Sequence, residues 1–124
     1  MTEQEFTSII ETYGFVIEES NTSDRWIMVN INNRYDRPMR YIEFHRKPWG
    51  ASLEGSVDVY YIKPVMSIDG YILDYTVGEY DQFKTFSKPH KLKRFLDEQM
   101  ADLKVWKQKI LETELSWDFC NDDE

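Results

Sequence analysis

The last third of the chain restricts the fold most. From Ser87 to about Leu115 there is no glycine, and the one proline, Pro89, stands where a helix tolerates it, in the first turn. Leu92, Phe95, Leu96, Leu103, Trp106 and Ile110 recur at helical intervals and predict one long amphipathic helix, capped by Ser87. At 1.5 Å per residue it would be roughly 40 Å long, about twice the length of an ordinary strand. Its stripe must therefore lie across a sheet, and its C-terminal third overhangs unless a curved sheet or another helix covers it. An overhang carrying Trp106, Ile110 and Trp117 would make a homodimer seam; the sequence leaves monomer and dimer equally open.

The charges of this helix run against its dipole. Lys88, His90, Lys91, Lys93 and Arg94 crowd its start, whereas Glu112, Glu114, Asp118, Asp122, Asp123 and Glu124 crowd its end. Acids normally favour the start and bases the end, each by about 0.3–1 kcal/mol. The reversal forgoes that stabilisation, so an acidic surface elsewhere in the fold or an anionic partner is expected at the basic end.

The chain before this helix reads as a second helix and a meander. Thr2 and Glu5 have capping-box spacing, Phe6, Ile9, Ile10 and Tyr13 follow on one face, and Gly14 ends a helix over about 3–13. Five β-rich runs succeed it, at 15–19, 25–30, 39–46, 56–62 and 71–77. Turn residues separate them, including Asn32, Asn33, Asp36 and Pro38, then Pro48 and Gly50, then the hairpin dipeptide Asp69-Gly70. Alternation groups Val57, Val59 and Tyr61 on one face, as it does Tyr71, Leu73, Tyr75 and Val77, with Asp58 and Asp74 facing solvent. The expected fold class is α+β: an N-terminal helix, an antiparallel meander of about five strands, and the long helix packed on it. Residues 1–115 form one domain in this reading, and 116–124 an acidic tail containing aromatic residues.

Composition narrows the setting. An apolar fraction of 41% and an aromatic fraction of 15% suit a folded domain. A single cysteine, Cys120, forms no internal disulfide, and no signal peptide or apolar run of about 18 residues is present, so a reducing cytoplasm is expected rather than a membrane. The net charge of −8 is unevenly spread: residues 1–24 carry −6, 34–47 carry +3, 48–83 carry −5, 84–94 carry +5 and 95–124 carry −6. Two basic islands interrupt an acidic protein.

Catalytic signatures are scarce. There is no phosphate-binding glycine loop, nucleophile elbow or histidine pair at metal spacing, and Cys120 sits in the expected tail, where a Cys–His couple lacks a rigid pocket. Glu43 and His45 lie two apart on one strand face, placing an acid beside a base, although an ordinary cross-strand surface pair has the same spacing. Asp58, Asp74 and Glu43 would form a carboxylate metal site only if neighbouring strands aligned them. No catalytic residue, metal ligand or cofactor is assigned, and a metal-dependent hydrolase is retained as a third class.

Binding is the better supported class. Lys88, His90, Lys91, Lys93 and Arg94 surround a helix start whose free N–H groups favour anions. Arg37, Arg40, Arg46 and Lys47, with Tyr35, Tyr41 and Trp49 nearby for stacking, extend the positive surface. Together they would suit nucleic acid or a phosphate ligand, against the repulsion of the acidic remainder. Pairing of the islands with the acidic first helix is the plainer explanation. Trp49 in a Pro-Gly loop beside Lys47, and Trp117 and Phe119 among the acids of the tail, have the composition of protein interfaces. An acidic surface can also imitate the phosphate ladder of nucleic acid, as small phage inhibitors of nucleases do; the basic islands leave room only for a one-faced mimic. The preferred expectation is a non-enzymatic protein-interaction module, an inhibitor or adaptor of another macromolecule, with a nucleic-acid or phosphate binder as the alternative.

Overall fold

The computed structural model of the 124-residue chain describes residues 1–18, 26–46, 54–78 and 82–122, the last six without their side chains. Helix α1 spans Glu3–Tyr13, and its capping box is closed both ways: the Glu5 N–H donates to Thr2 Oγ1 (3.1 Å) and the Thr2 N–H to Glu5 Oε1 (3.0 Å). Gly14 ends it in the left-handed region at φ 71°, donating to Glu11 O. Phe6, Ile9 and Ile10 form its buried face, and Phe6 stacks on Phe44 with centroids 5.0 Å apart.

Among the described residues seven strands follow: β1 (Val16–Ile17), β2 (Trp26–Asn32), β3 (Pro38–Arg46), β4 (Gly55–Tyr60), β5 (Ile62–Met66), β6 (Ile72–Val77) and β7 (Phe83–Phe86). The five-stranded antiparallel sheet is present, in the order β1-β2-β3-β4-β7. Its fifth strand is not the expected 71–77 segment. After β4 the chain passes through Tyr61 into a separate hairpin, β5–β6, and returns as β7 to pair with β4. The Asp-Gly dipeptide does turn this hairpin, with Gly70 at φ 88° and a Gly70 N–H to Ser67 O bond of 3.1 Å.

Two irregularities alter which residues face inward. Asn30 pairs with Arg40 and Val29 with Ile42, leaving Tyr41 as the extra residue of a bulge. Tyr41 and Ile42 are consequently both fully buried, and Arg40 comes onto the face of Glu43 and His45. In the hairpin Leu73 is skipped in the same way, so Ile72 and Tyr75 are buried whereas Tyr71 is exposed. Val57 and Val59 face inward as the alternation implies; Tyr61, the joint between the sheets, is 36% exposed.

Helix α2 runs Pro89–Asp122, so Lys88 rather than Ser87 stands immediately before it, and it continues past Leu115 as far as Asp122, into the expected tail. Leu92, Phe95, Leu96, Leu103 and Ile110 are buried and Trp106 packs beside them, as the stripe requires. The helix lies along the β5–β6 hairpin, β7 and α1. Gln99 accepts from the Ile62 N–H (3.0 Å), Lys107 sits over the Tyr75 ring (5.6 Å), Tyr13 donates to Lys93 O (3.0 Å), and Arg34 pairs with Glu114. Among the described residues no helix is long and apolar enough to cross a membrane.

Candidate functional site

The fold treats the two basic islands differently. On β3, Arg46 grips Glu3 of α1 through two hydrogen bonds, Nε to Oε2 at 3.1 Å and Nη2 to Oε1 at 2.7 Å. The guanidinium hydrogen bonding holds the Glu3 carboxyl below its ordinary pKa. Arg40 approaches Glu43 (3.9 Å), and Arg37 is exposed beside the Asn33 turn. Lys47 and Trp49 lie outside the described residues. The strand island is thus partly consumed by pairing with α1 and with its own strand.

The helix island is not. Lys88, His90, Lys91, Lys93 and Arg94 are exposed and form no ion pair among the described residues. Lys88, Lys91 and Arg94 line one groove of about 550 Å³ together with Lys84, which β7 contributes from across the helix start. Phe86, Phe95 and Glu98 also line it, and Lys84 Nζ is held over the two phenyl rings at 5.6 and 5.7 Å. His90 and Lys93 do not line it. Lys84 belongs to the +5 segment 84–94 but is not among the expected site residues, because β7, the strand that positions it, is not among the expected strands. Trp117 and Phe119 are on the helical backbone, but their side chains lie outside the description. With 26 residues separating Lys91 from Trp117, these parts of α2 are about 40 Å apart and do not share a site.

A second constellation lies on the sheet face opposite the core. Glu43 of β3 and Asp58 of β4 are direct cross-strand partners. His45 Nε2 lies 3.1 Å from Glu43 Oε2 and 3.1 Å from Asp58 Oδ2. Glu43 and Asp58 retain only 12% and 17% of their side-chain exposure, His45 40%. Thr85 of β7 donates to Asp58 Oδ1 at 2.7 Å. Burial, followed by the charge and hydrogen bonding of Glu43, raises the Tyr60 hydroxyl to about 12. The Glu43–His45 neighbourhood read from the strand is therefore real and includes Asp58. Asp74 is elsewhere, in the second sheet, accepting from the backbone N–H groups of Tyr75 (2.7 Å) and Arg34 (3.3 Å). Neither Asp58 nor Asp74 is the freely solvated carboxylate that alternation implied.

Two further surfaces are chemically simpler. A cleft of about 640 Å³ separates Pro38–Arg40 from the Lys63 and Thr76–Gly78 end of the hairpin. At the hairpin's turn, Met66, Ile68 and Tyr71 are exposed large apolar side chains. No family model, curated protein or solved structure matches this chain.

Proposed function

We propose that the protein is a non-enzymatic interaction module that recruits, and so restrains or adapts, a partner protein whose acidic segment lies in the groove between β7 and the start of α2. The observation that carries this reading is the gathering of Lys88, Lys91 and Arg94 with Lys84 in one groove, none of them in an ion pair among the described residues, while Arg46 of the other island is paired with Glu3. Unpaired like charges held beside a helix start disfavour the free protein and are relieved by an anionic occupant. A protein occupant is favoured over nucleic acid on two grounds. Phe86 and Phe95 are only 6% and 9% exposed and offer bases little stacking face, and Glu98 adds a negative charge to the lining that would repel phosphate. The apolar end of the hairpin also has the character of a protein-binding surface.

The test is capture from native-host lysate, with and without nuclease treatment, by wild-type protein and by Lys91→Glu/Arg94→Glu. One stoichiometric protein should be retained by the wild type, with affinity lowered about tenfold or more in the variant. Capture that disappears with nuclease assigns the groove to nucleic acid, and capture equal for both proteins removes the groove from the interface.

A further inference from the structure

We propose that Glu43, His45 and Asp58 form a binding site for a first-row divalent cation, of the Mn²⁺ or Zn²⁺ class, on the sheet face opposite the helices. Two carboxylates placed directly across an antiparallel pair repel one another, and here both are largely withdrawn from water. The imidazole separates this group from an ordinary acidic surface patch. Its single nitrogen Nε2 faces both carboxylates at 3.1 Å, yet carries at most one proton and makes at most one good hydrogen bond with it. Arg40, at 3.9 Å from Glu43, offsets part of that carboxylate's charge without hydrogen-bonding it, and among the described residues it forms no ion pair with Asp58.

A cation answers both needs. Ligand atoms about 2.1 Å from one ion are about 3.0 Å apart at a right angle and about 3.4 Å apart at a tetrahedral angle, which brackets the two 3.1 Å spacings from His45 Nε2. All three donor atoms lie within 4.8 Å of one another. Support around the ligands is present as well: the Thr85 hydroxyl fixes one oxygen of Asp58, leaving Oδ2 toward the imidazole, and Tyr60 bonds Glu43. An imidazole nitrogen with two carboxylates suits Mn²⁺, Fe²⁺ or Zn²⁺ better than Ca²⁺ or Mg²⁺, which prefer oxygen alone. The ion would tie β3 to β4 and, through Thr85, to β7.

The deciding experiment uses untagged full-length protein freed of metal by chelation. Titration with Mn²⁺ and Zn²⁺ should give one site per chain, and saturation at about a hundred times Kd should raise the melting temperature by roughly 5 °C or more. Mg²⁺ and Ca²⁺ should do markedly less. Asp58→Asn and His45→Gln should each weaken binding by about tenfold or more, whereas the exposed-helix control Glu112→Gln should leave it unchanged. Co²⁺ provides a spectroscopic check that does not depend on variant folding: visible absorption without a thiolate charge-transfer band is expected. Absence of binding to the wild type overturns the proposal. So does a thiolate band, which would place the ion at Cys120, or equal affinity in the folded Asp58→Asn variant.

Discussion

Tyr41 is fully buried, but its hydroxyl has no hydrogen-bond partner among the described residues. The bulge opposite Val29 and Asn30 turns this side chain inward, where it meets the edge of Phe15 at 5.7 Å. Burial drives its hydroxyl pKa upward, the behaviour of a polar group that has lost water without a replacement. An orphaned buried hydroxyl costs about 1–3 kcal/mol, while the ring contributes by filling space. Tyr41→Phe should therefore keep the packing and raise stability by about 1 kcal/mol, read as a higher urea midpoint at unchanged m-value. A midpoint that falls would mean the hydroxyl is satisfied. The opposite error, Phe44→Ala, should cost about 3–5 kcal/mol, since Phe44 is wholly buried against Phe6.

At the scale of elements, α2 sets stability against binding. Its start carries Lys88, Lys91 and Arg94 where the dipole is positive. Lys91→Glu reverses one unfavourable charge and creates an i,i+3 pair with Arg94, so thermal or urea unfolding should show a gain of about 0.5–1 kcal/mol even as capture of the partner weakens. Loss of stability would instead show that Lys91 serves the fold. This element was legible because the apolar spacing of 92, 95, 96, 103, 106 and 110 matches the helical period and nothing breaks it. β5 was hidden by Lys63 and Pro64, which a two-stranded sheet accommodates because β5 has an unpaired edge. β7 was hidden because Lys84 and Thr85 are exposed and only Phe86 is buried. The candidate site followed the same pattern. The i,i+2 relation of Glu43 and His45 could be read along one strand, but Asp58 required the β3–β4 register, and the groove required β7. The bulge at Tyr41 defeats alternation altogether, since period 2 carries no sign of where an extra residue enters a strand.

For the whole molecule, ionisable groups that cross between elements set a pH window for stability. On the acid side, Glu3 joins α1 to β3, and its pKa is lowered chiefly by hydrogen bonding to Arg46. A depressed carboxyl stabilises the fold above its unfolded value of about 4.5, and that contribution is lost as pH falls through the lower folded value. Thermal melts from pH 7 to 3 should show an acid limb that Glu3→Gln flattens; because Glu3 is on the surface, the effect is small. On the alkaline side the sign reverses. Tyr13 is raised from 10.0 to about 12 by burial first and then by its bond to Asp97; its one hydroxyl proton is shared between Asp97 Oδ1 and Lys93 O, both on α2, so it clasps α1 to α2. A phenol whose folded pKa is raised stabilises the protein fully below pH 10, and that contribution disappears as pH climbs from about 10 to 12. Tyr60, also near 12, ionises over the same interval beside Glu43. Stability should therefore fall through pH 10–12, and Tyr13→Phe should lower the neutral plateau through the lost helix–helix hydrogen bond while making the alkaline decline shallower. Denaturant midpoints at pH 8, 10 and 11.5 separate the two effects. Parallel loss in wild type and variant at every pH would show that Tyr13 ionises as freely in the folded protein as in the unfolded chain, and that its clasp is structural without being coupled to protons.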